Sequence, residues 1–418
     1  MENEWSVLSL EQLADIKTGK LDSNKATSFG AYPFFTCAPE PLRIDDFAFD
    51  CDAILLAGNN ANGVFHLNRF FGKFNAYQRT YVITLKDSLV IDINFLFYTL
   101  RTLTARLGEY SQGTATKFLT IKILNSLPVP IPTIDEQRAV AHILGTLDDK
   151  IELLRNMNRT LEAMARAIFK SWFVDFDPVK AKAEGREPEA MDAATAALFP
   201  SEFEDSPIGS IPKGWILGNV SDLGDVICGK TPPTKVPEYY GEDVPFITIP
   251  DMHNQFFVTV TQRKLSTKGA NFQRNKFLPQ YSICVSCIAT PGLVSLTTEP
   301  SQTNQQINSV VPNGRFPALF SFFVLRLVAK QIRGAGSGGS VFENLSKGRF
   351  ENLAILLPPA QIAHGFADTV EPLLSKLLTN SQHASVLSSL RETLLPKLMS
   401  GQIRVREAEA MVEEEVVL

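Results

Sequence analysis

Three stretches of this 418-residue chain have the residue types and spacing of a ligand or catalytic site. Gly224-Asp225-Val226-Ile227-Cys228-Gly229-Lys230-Thr231 satisfies the pattern G-x-x-x-x-G-K-[ST], whose amides and lysine cradle nucleotide phosphates. That chemistry needs a buried strand before the loop and a helix N-terminus after it. Here Pro232 and Pro233 stand where the first helical turn should be, and Gly218 to Asp222 is not a buried strand. The stretch therefore reads as a Gly-Lys turn. Cys284-Val285-Ser286-Cys287 is a CxxC without a second pair. In a strand its two thiols face opposite sides, so core cysteines are expected rather than zinc ligands. Pro250-Asp251 is followed by no Asp/Glu-x-Lys before Glu299, so a metal nuclease motif is not completed. There is no G-x-G-x-x-G turn after a strand and no Asn/Asp-Pro-Pro-aromatic tetrapeptide of the kind amino-methyltransferases carry. His142, His364 and His383 fall on predicted helices. The expectation is a chain with no catalytic residues, no cofactor and no metal of its own.

What remains is recognition chemistry. Asn and Gln amides match the edge of adenine, while Arg and Lys take guanine or phosphate. In the first part of the chain the candidates are Lys17, Lys20, Asn59, Asn60, Asn62, Arg69, Lys73, Asn75, Tyr77, Gln78 and Arg79. In the second they are Lys230, Thr231, Lys235, Arg274, Lys276, Asn304, Gln305 and Gln306. For any one of them a solvated loop residue is the competing reading. The net charge of −5 argues against a nucleic-acid partner, but its distribution does not. Residues 211–359 hold 14 Lys/Arg against 9 Asp/Glu, and residues 1–134 hold 12 against 13. The acids concentrate in 181–210 and in the tail.

The elements that must carry these loops are legible from periodicity. Val140, Leu147, Leu154, Leu161 and Ile168 recur every seventh residue, with Leu144, Ile151, Asn158, Ala165 and Trp172 four residues on. This predicts a long helix that needs another helix, with Asn158 fixing register. Phe366, Val370, Leu373, Leu377, Ala384, Leu387, Leu394 and Leu398, with Asn380 in the same row, supply the partner. Gly365 and Pro372 suggest that its first turns are kinked or start late.

Each long helix closes one copy of an internal repeat. Ile16 to Lys20 matches Val226 to Lys230, and Tyr32 to Thr36 matches Val244 to Thr248. Ala53 to Leu56 matches Ser282 to Val285. Phe95 to Leu107 matches Phe320 to Ile332, each ending in a Gly/Ser/Thr-rich loop (Ser111 to Thr114, Ser337 to Ser340). The expected fold is α+β: two globular domains joined by two long antiparallel helices, a coiled-coil spacer with an approximate two-fold axis. The expected boundaries are 1–134, a helix 135–174, a polar linker 175–210 with little core, 211–359, a helix 360–400, and a frayed tail 401–418. Two surfaces held at a fixed separation suit duplex DNA, whose own repeat is about 34–36 Å. The rivals are a coiled-coil scaffold with no DNA role and an ATPase using Gly224 to Thr231. Five cysteines and a start of Met1-Glu2-Asn3-Glu4 predict a leaderless cytoplasmic protein with reduced thiols.

Several landmarks together resemble the specificity subunit of type I restriction-modification systems. They are Pro132-Thr133-Ile134-Asp135-Glu136-Gln137, Phe169-Lys170-Ser171-Trp172-Phe173-Val174-Asp175-Phe176-Asp177-Pro178, Leu198-Phe199-Pro200, Gly209-Ser210-Ile211-Pro212-Lys213-Gly214-Trp215 and Leu394-Leu395-Pro396-Lys397-Leu398-Met399-Ser400-Gly401. The second copy departs from the pattern at Pro358-Pro359-Ala360-Gln361, where no Glu precedes Gln. The resemblance implies two target recognition domains, each reading half of a bipartite, asymmetric DNA site. It implies that adenine N6 methylation and cleavage belong to modification and restriction subunits docked on this chain, two modification subunits per chain. S-adenosylmethionine, ATP and Mg would then bind those partners.

Overall fold

The computed structural model describes residues 5–60, 65–110, 117–335 and 345–416. The chain divides into two compact units, residues 1–152 with 386–418, and residues 153–385. Two helices of 40 residues each, Ile134–Phe173 and Ala360–Met399, contribute one part to each unit. At ~1.5 Å per residue each is about 60 Å long.

The first unit is built on a six-stranded sheet. Its order is Ala14–Thr18, Thr80–Leu85, Phe49–Ala57, Leu67–Ala76, Tyr32–Phe35 and Leu42–Ile44. Phe49–Ala57 is central because its last five residues are all buried, apolar on both faces. Tyr32–Phe35 runs parallel to Leu67–Ala76, with Phe34 opposite Asn75. Helix Ile93–Tyr110 follows, then strand Pro128–Ile131 paired with Ser6–Ser9, then the first long helix. Gln137, fully buried, ties that helix start down. Its amide oxygen accepts from the Asp92 amide at 2.9 Å, and its nitrogen donates to the carbonyls of Val90 and Pro132.

The second unit repeats the plan. Gly224–Cys228, Ile307–Pro312, Ile283–Ser286 and Val294–Thr297 lie in the order of their first-unit counterparts, and Val244–Ile247 pairs in parallel with Gln302–Thr303. Helix Ala318–Ala335, strand Ala354–Leu357 paired with Ile216–Asn219, and the second long helix complete the copy. The end of the first long helix is fixed here by an aromatic cluster. Phe169, Trp172 and Phe173 pack on Phe320, Phe323 and Phe366 with ring centroids 5.0–6.3 Å apart.

Within each unit the long helices meet along the seam that the heptads mark. In the first, Val140, Leu144, Leu147, Leu394 and Leu398 are buried, and Asp148 binds Arg391. In the second, Phe169 meets Phe366 while Asn158 meets Asn380 and Ser381, so the strands of the seam run antiparallel. Asn158 accepts from the Asn380 amide nitrogen at 3.0 Å and donates to the Ser381 hydroxyl at 2.9 Å. Asn158→Leu is expected to destabilise by about 1–3 kcal/mol, because Asn380, 2% exposed, keeps its amide and loses its partner. Replacing both by leucine should recover most of that in a urea titration.

Four expectations change. The second long helix starts at Ala360 and runs unbroken through Pro372, and the Ile362 amide bonds the Pro359 carbonyl at 3.0 Å. Ile362 and Ala363, both fully buried, stand where the first copy has Glu136 and Gln137. Residues 175–210 are not a loose connector. Helices Asp177–Ala183 and Ala193–Leu198 and a hairpin of Phe203–Ser206 with Gly209–Pro212 put Val179, Phe199 and Ile211 into the core that holds Trp172. The tail is not frayed throughout, since Val405–Val416 is helical with Ala408 and Val412 buried. Asn62 and the loops Ser111 to Thr114 and Ser337 to Ser340 lie outside the described residues. No described helix is long and apolar enough to cross a membrane.

Candidate nucleic-acid interface

The same small assembly recurs in both units: a Gly-Lys turn pressed against a polar turn between two sheet strands. In the first unit the polar turn is Tyr77-Gln78-Arg79-Thr80, and in the second Asn304-Gln305-Gln306-Ile307. Four main-chain hydrogen bonds correspond. The Tyr77 amide donates to Phe35 and that of Asn304 to Ile247; Thr80 closes onto Tyr77 and Ile307 onto Asn304. Gly19 donates to Thr80 and Gly229 to Ile307, while Gly58 donates to Arg79 and Cys287 to Gln306. Arg79 and Gln306 are therefore equivalent, as are Gln78 and Gln305.

Glycine is required at the contact. A Cβ on Gly19 would sit 1.8 Å from the Ala76 carbonyl oxygen, and one on Gly229 would sit 2.1 Å from that of Asn304. This close approach, not a phosphate loop, is what the match to G-x-x-x-x-G-K-[ST] reflects. Gly224–Cys228 is a strand paired along Ile307–Pro312, and the chain then turns into Pro232.

The assembly presents different chemistry in each unit. In the first, Lys20, Gln78 and Arg79 are exposed, and Asn59 adjoins them through Gly58. The Cys37 thiol lies 2.9 Å from the Asn59 amide oxygen and 3.8 Å from the Arg79 carbonyl, and burial pushes its pKa up. In the second, Lys230 and Gln305 are exposed, and the Thr231 hydroxyl donates to the Gln305 amide oxygen at 2.7 Å. The Gln306 amide oxygen accepts from Asn304 at 3.1 Å. Both glutamines thus have an oriented carboxamide with nitrogen donors free to face a ligand.

Other candidates stand apart from this arrangement. Asn75 is a correction: it is 4% exposed, donates to the Asp46 carbonyl and accepts from the Ala76 amide, so it braces the strand under the turn. Its counterpart Gln302 is fully buried and does the same for Ala270 and Gln273. Arg69 is held by Asp52 at 2.9 Å, and strand register puts it on the opposite sheet face from Lys17. Lys73 lies over the Phe47 ring. Asn60 forms a short ladder with Lys117, Lys235 is exposed on the loop after Pro233, and Arg274–Lys276 is a single 3-10 turn.

The remaining sequence leads have structural roles. Cys284 and Cys287 are buried in different clusters, as alternation predicts, and burial pushes their thiols up to about 12 and about 11. Neither is a ready thiolate ligand. Asp251 caps a short helix, accepting from Thr248 and from the Gln262 amide at 2.7–2.8 Å.

A family model described as Type I restriction modification DNA specificity domain matches residues 2–163 and 212–387, one match per repeat. The chain belongs to that family. It is 40% identical over 337 residues to the type I restriction enzyme HindI specificity subunit of Haemophilus influenzae, covering 71% of this chain and 73% of that one. To the EcoDI specificity subunit of Escherichia coli it is 30% identical over 239 residues, 56% of this chain and 52% of that one. The crystal structure of a type I restriction-modification system S subunit from M. genitalium matches 95% of this chain and 97% of its own with a TM-score of 0.59. At 19% identity that likeness shows a shared specificity-subunit fold.

Proposed function

We propose that this chain is the DNA sequence-specificity subunit of a type I restriction-modification complex, each unit reading one half of a bipartite, asymmetric site. The observation that carries this reading is the duplicated turn assembly: one backbone geometry, braced by one glycine contact, presenting Gln78 and Arg79 in one unit and Gln305 and Gln306 in the other. A scaffold without a DNA role gives no reason for a shared turn geometry that carries a glutamine in both copies and, beside it, Arg79 in one and Gln306 in the other.

In this reading the paired long helices set the separation of the half-sites, and the chain itself performs no chemistry. Two modification subunits dock on it, one per repeat, bind S-adenosylmethionine and methylate adenine at N6. Restriction subunits use ATP and Mg to cleave remotely. The complex works in the cytoplasm, where its DNA is. In this reading the Gln78 carboxamide and the Arg79 guanidinium face base edges, adenine and guanine respectively, while Lys20 holds the phosphate backbone.

Arg79→Ala is expected to cost about 1–3 kcal/mol of discrimination at one base pair of one half-site, leaving the other half-site untouched. Binding by the complex with its modification subunit, measured on duplexes substituted in either half, checks this. Unchanged selectivity in both halves would remove Arg79 from the interface.

A further inference from the structure

Beside the second unit's Gly-Lys turn stand two stacked aromatic rings, one exposed and one half-buried. Phe272, 49% exposed, stacks on Tyr239 with centroids 4.8 Å apart and planes 28° from parallel. Lys230 of the turn lies 5.5 Å from the Phe272 ring centre, and Lys268 lies 6.0 Å from that of Tyr239. Arg274, two residues beyond Phe272, is exposed as well.

The pair is held rigidly. Phe272 ends helix Thr267–Phe272, whose start is capped by the Ser266 hydroxyl. Inside the helix, a Cβ on Gly269 would sit 2.0 Å from the Tyr239 carbonyl oxygen, so helix and Tyr239 turn are in direct backbone contact. Gln273, 3% exposed, ties the end of the helix to the recognition scaffold by donating to the Lys230 carbonyl at 2.8 Å and to Gln302 at 2.7 Å. A lone exposed phenyl needs no explanation. A stiffened one, with a lysine over its face, two more cations on its own segment and a tie to the Gly-Lys turn, does.

We infer that Phe272 is a stacking wedge that enters a base step of the duplex half-site read by the 153–385 unit, with Lys230, Lys268 and Arg274 on the flanking phosphates. Flat apolar side chains that unstack a step and cations that track the backbone are the two halves of such a contact. Charge selects the occupant: Glu238 beside Tyr239 and Asp243, which is engaged with Thr267 at the far end of the helix, stand against Lys230, Lys268 and Arg274. The first unit offers the control. There Phe47 packs on Tyr32 at 5.1 Å beneath Lys73, but Asp45, Asp46 and Asp50 flank it, which repels phosphate. The inference is confined to Phe272 and rests on the DNA-specificity reading above.

The test uses the full chain with its modification subunit and duplexes of its site carrying 2-aminopurine at one position at a time. The expected result is a several-fold fluorescence rise at one step of one half-site, away from the methylated adenine, with the wild type and with Phe272→Tyr. With Phe272→Ala, which removes the inserting side chain, that rise disappears and affinity falls about tenfold. A wild-type complex that binds its site with no such rise, or a rise that Phe272→Ala leaves intact, overturns the wedge while leaving the specificity assignment standing. Failure of the wild type to select any site would instead sink the proposed function.

Discussion

Trp172→Ala is expected to lower the stability of the 153–385 unit by about 3–5 kcal/mol, the range for emptying a packed aromatic site. Trp172 is 5% exposed and touches Phe366 of the second long helix, Phe199 of the segment that follows the first, and Phe173 of its own helix. Its removal opens a cavity where three chain segments converge. Guanidinium unfolding of the full chain should show the loss in the transition of this unit. A change below about 1 kcal/mol would mean that the Phe-Lys-Ser-Trp-Phe run does not hold the helix pair.

The second large effect belongs to the other unit and to charge. Asp148 on the first long helix accepts from the Tyr98 hydroxyl at 2.8 Å, from Arg101 at 3.1 Å and from Arg391 of the second long helix. Burial, and then the Asp148 charge, push the Tyr98 hydroxyl pKa well up, so tyrosine stays a donor. Asp148→Ala takes away one of the two carboxylates that bind Arg391, whose side chain is 12% exposed, and leaves it Glu392 at 2.6 Å. Breaking a fully buried pair costs about 3–5 kcal/mol; the 27% exposure of Asp148 and the Glu392 carboxylate that Arg391 keeps both reduce that, so about 1–3 kcal/mol is expected. Adding Arg391→Met to the Asp148→Ala chain should restore much of the loss, because the most deeply buried cation is then gone and Arg101 keeps Glu392 at 3.3 Å. A double variant no better than the single one would contradict this account of Asp148.

The seam was legible because heptad spacing is a period, and a period survives any local composition: most of the row from Val140 to Trp172 and from Phe366 to Leu398 is buried, and Leu161, Ile168 and Leu373 are partly so. The repeat was legible for a related reason. Gly19 and Gly229 are forced by backbone contact, so the Gly-Lys dipeptide persists while its neighbours drift. What sequence missed are contacts with no period. Val179 and Phe199 are isolated apolar residues in a charged stretch, and only the aromatic core gives them a destination. Ala408 and Val412 are two anchors four residues apart in a tail that acidic composition marked as solvated. Asn75 has the side chain of a contact residue and the position of a brace. Its residue type was visible, but burial by a distant strand was not.

The most direct test of the central claim is selection from a random-sequence duplex library by the full chain assembled with its modification subunit. The expected outcome is two short fixed blocks of unlike sequence, separated by a constant number of unspecified base pairs. A single contiguous block, or two blocks whose separation varies freely, would contradict the reading that paired helices hold two recognition units at a set distance.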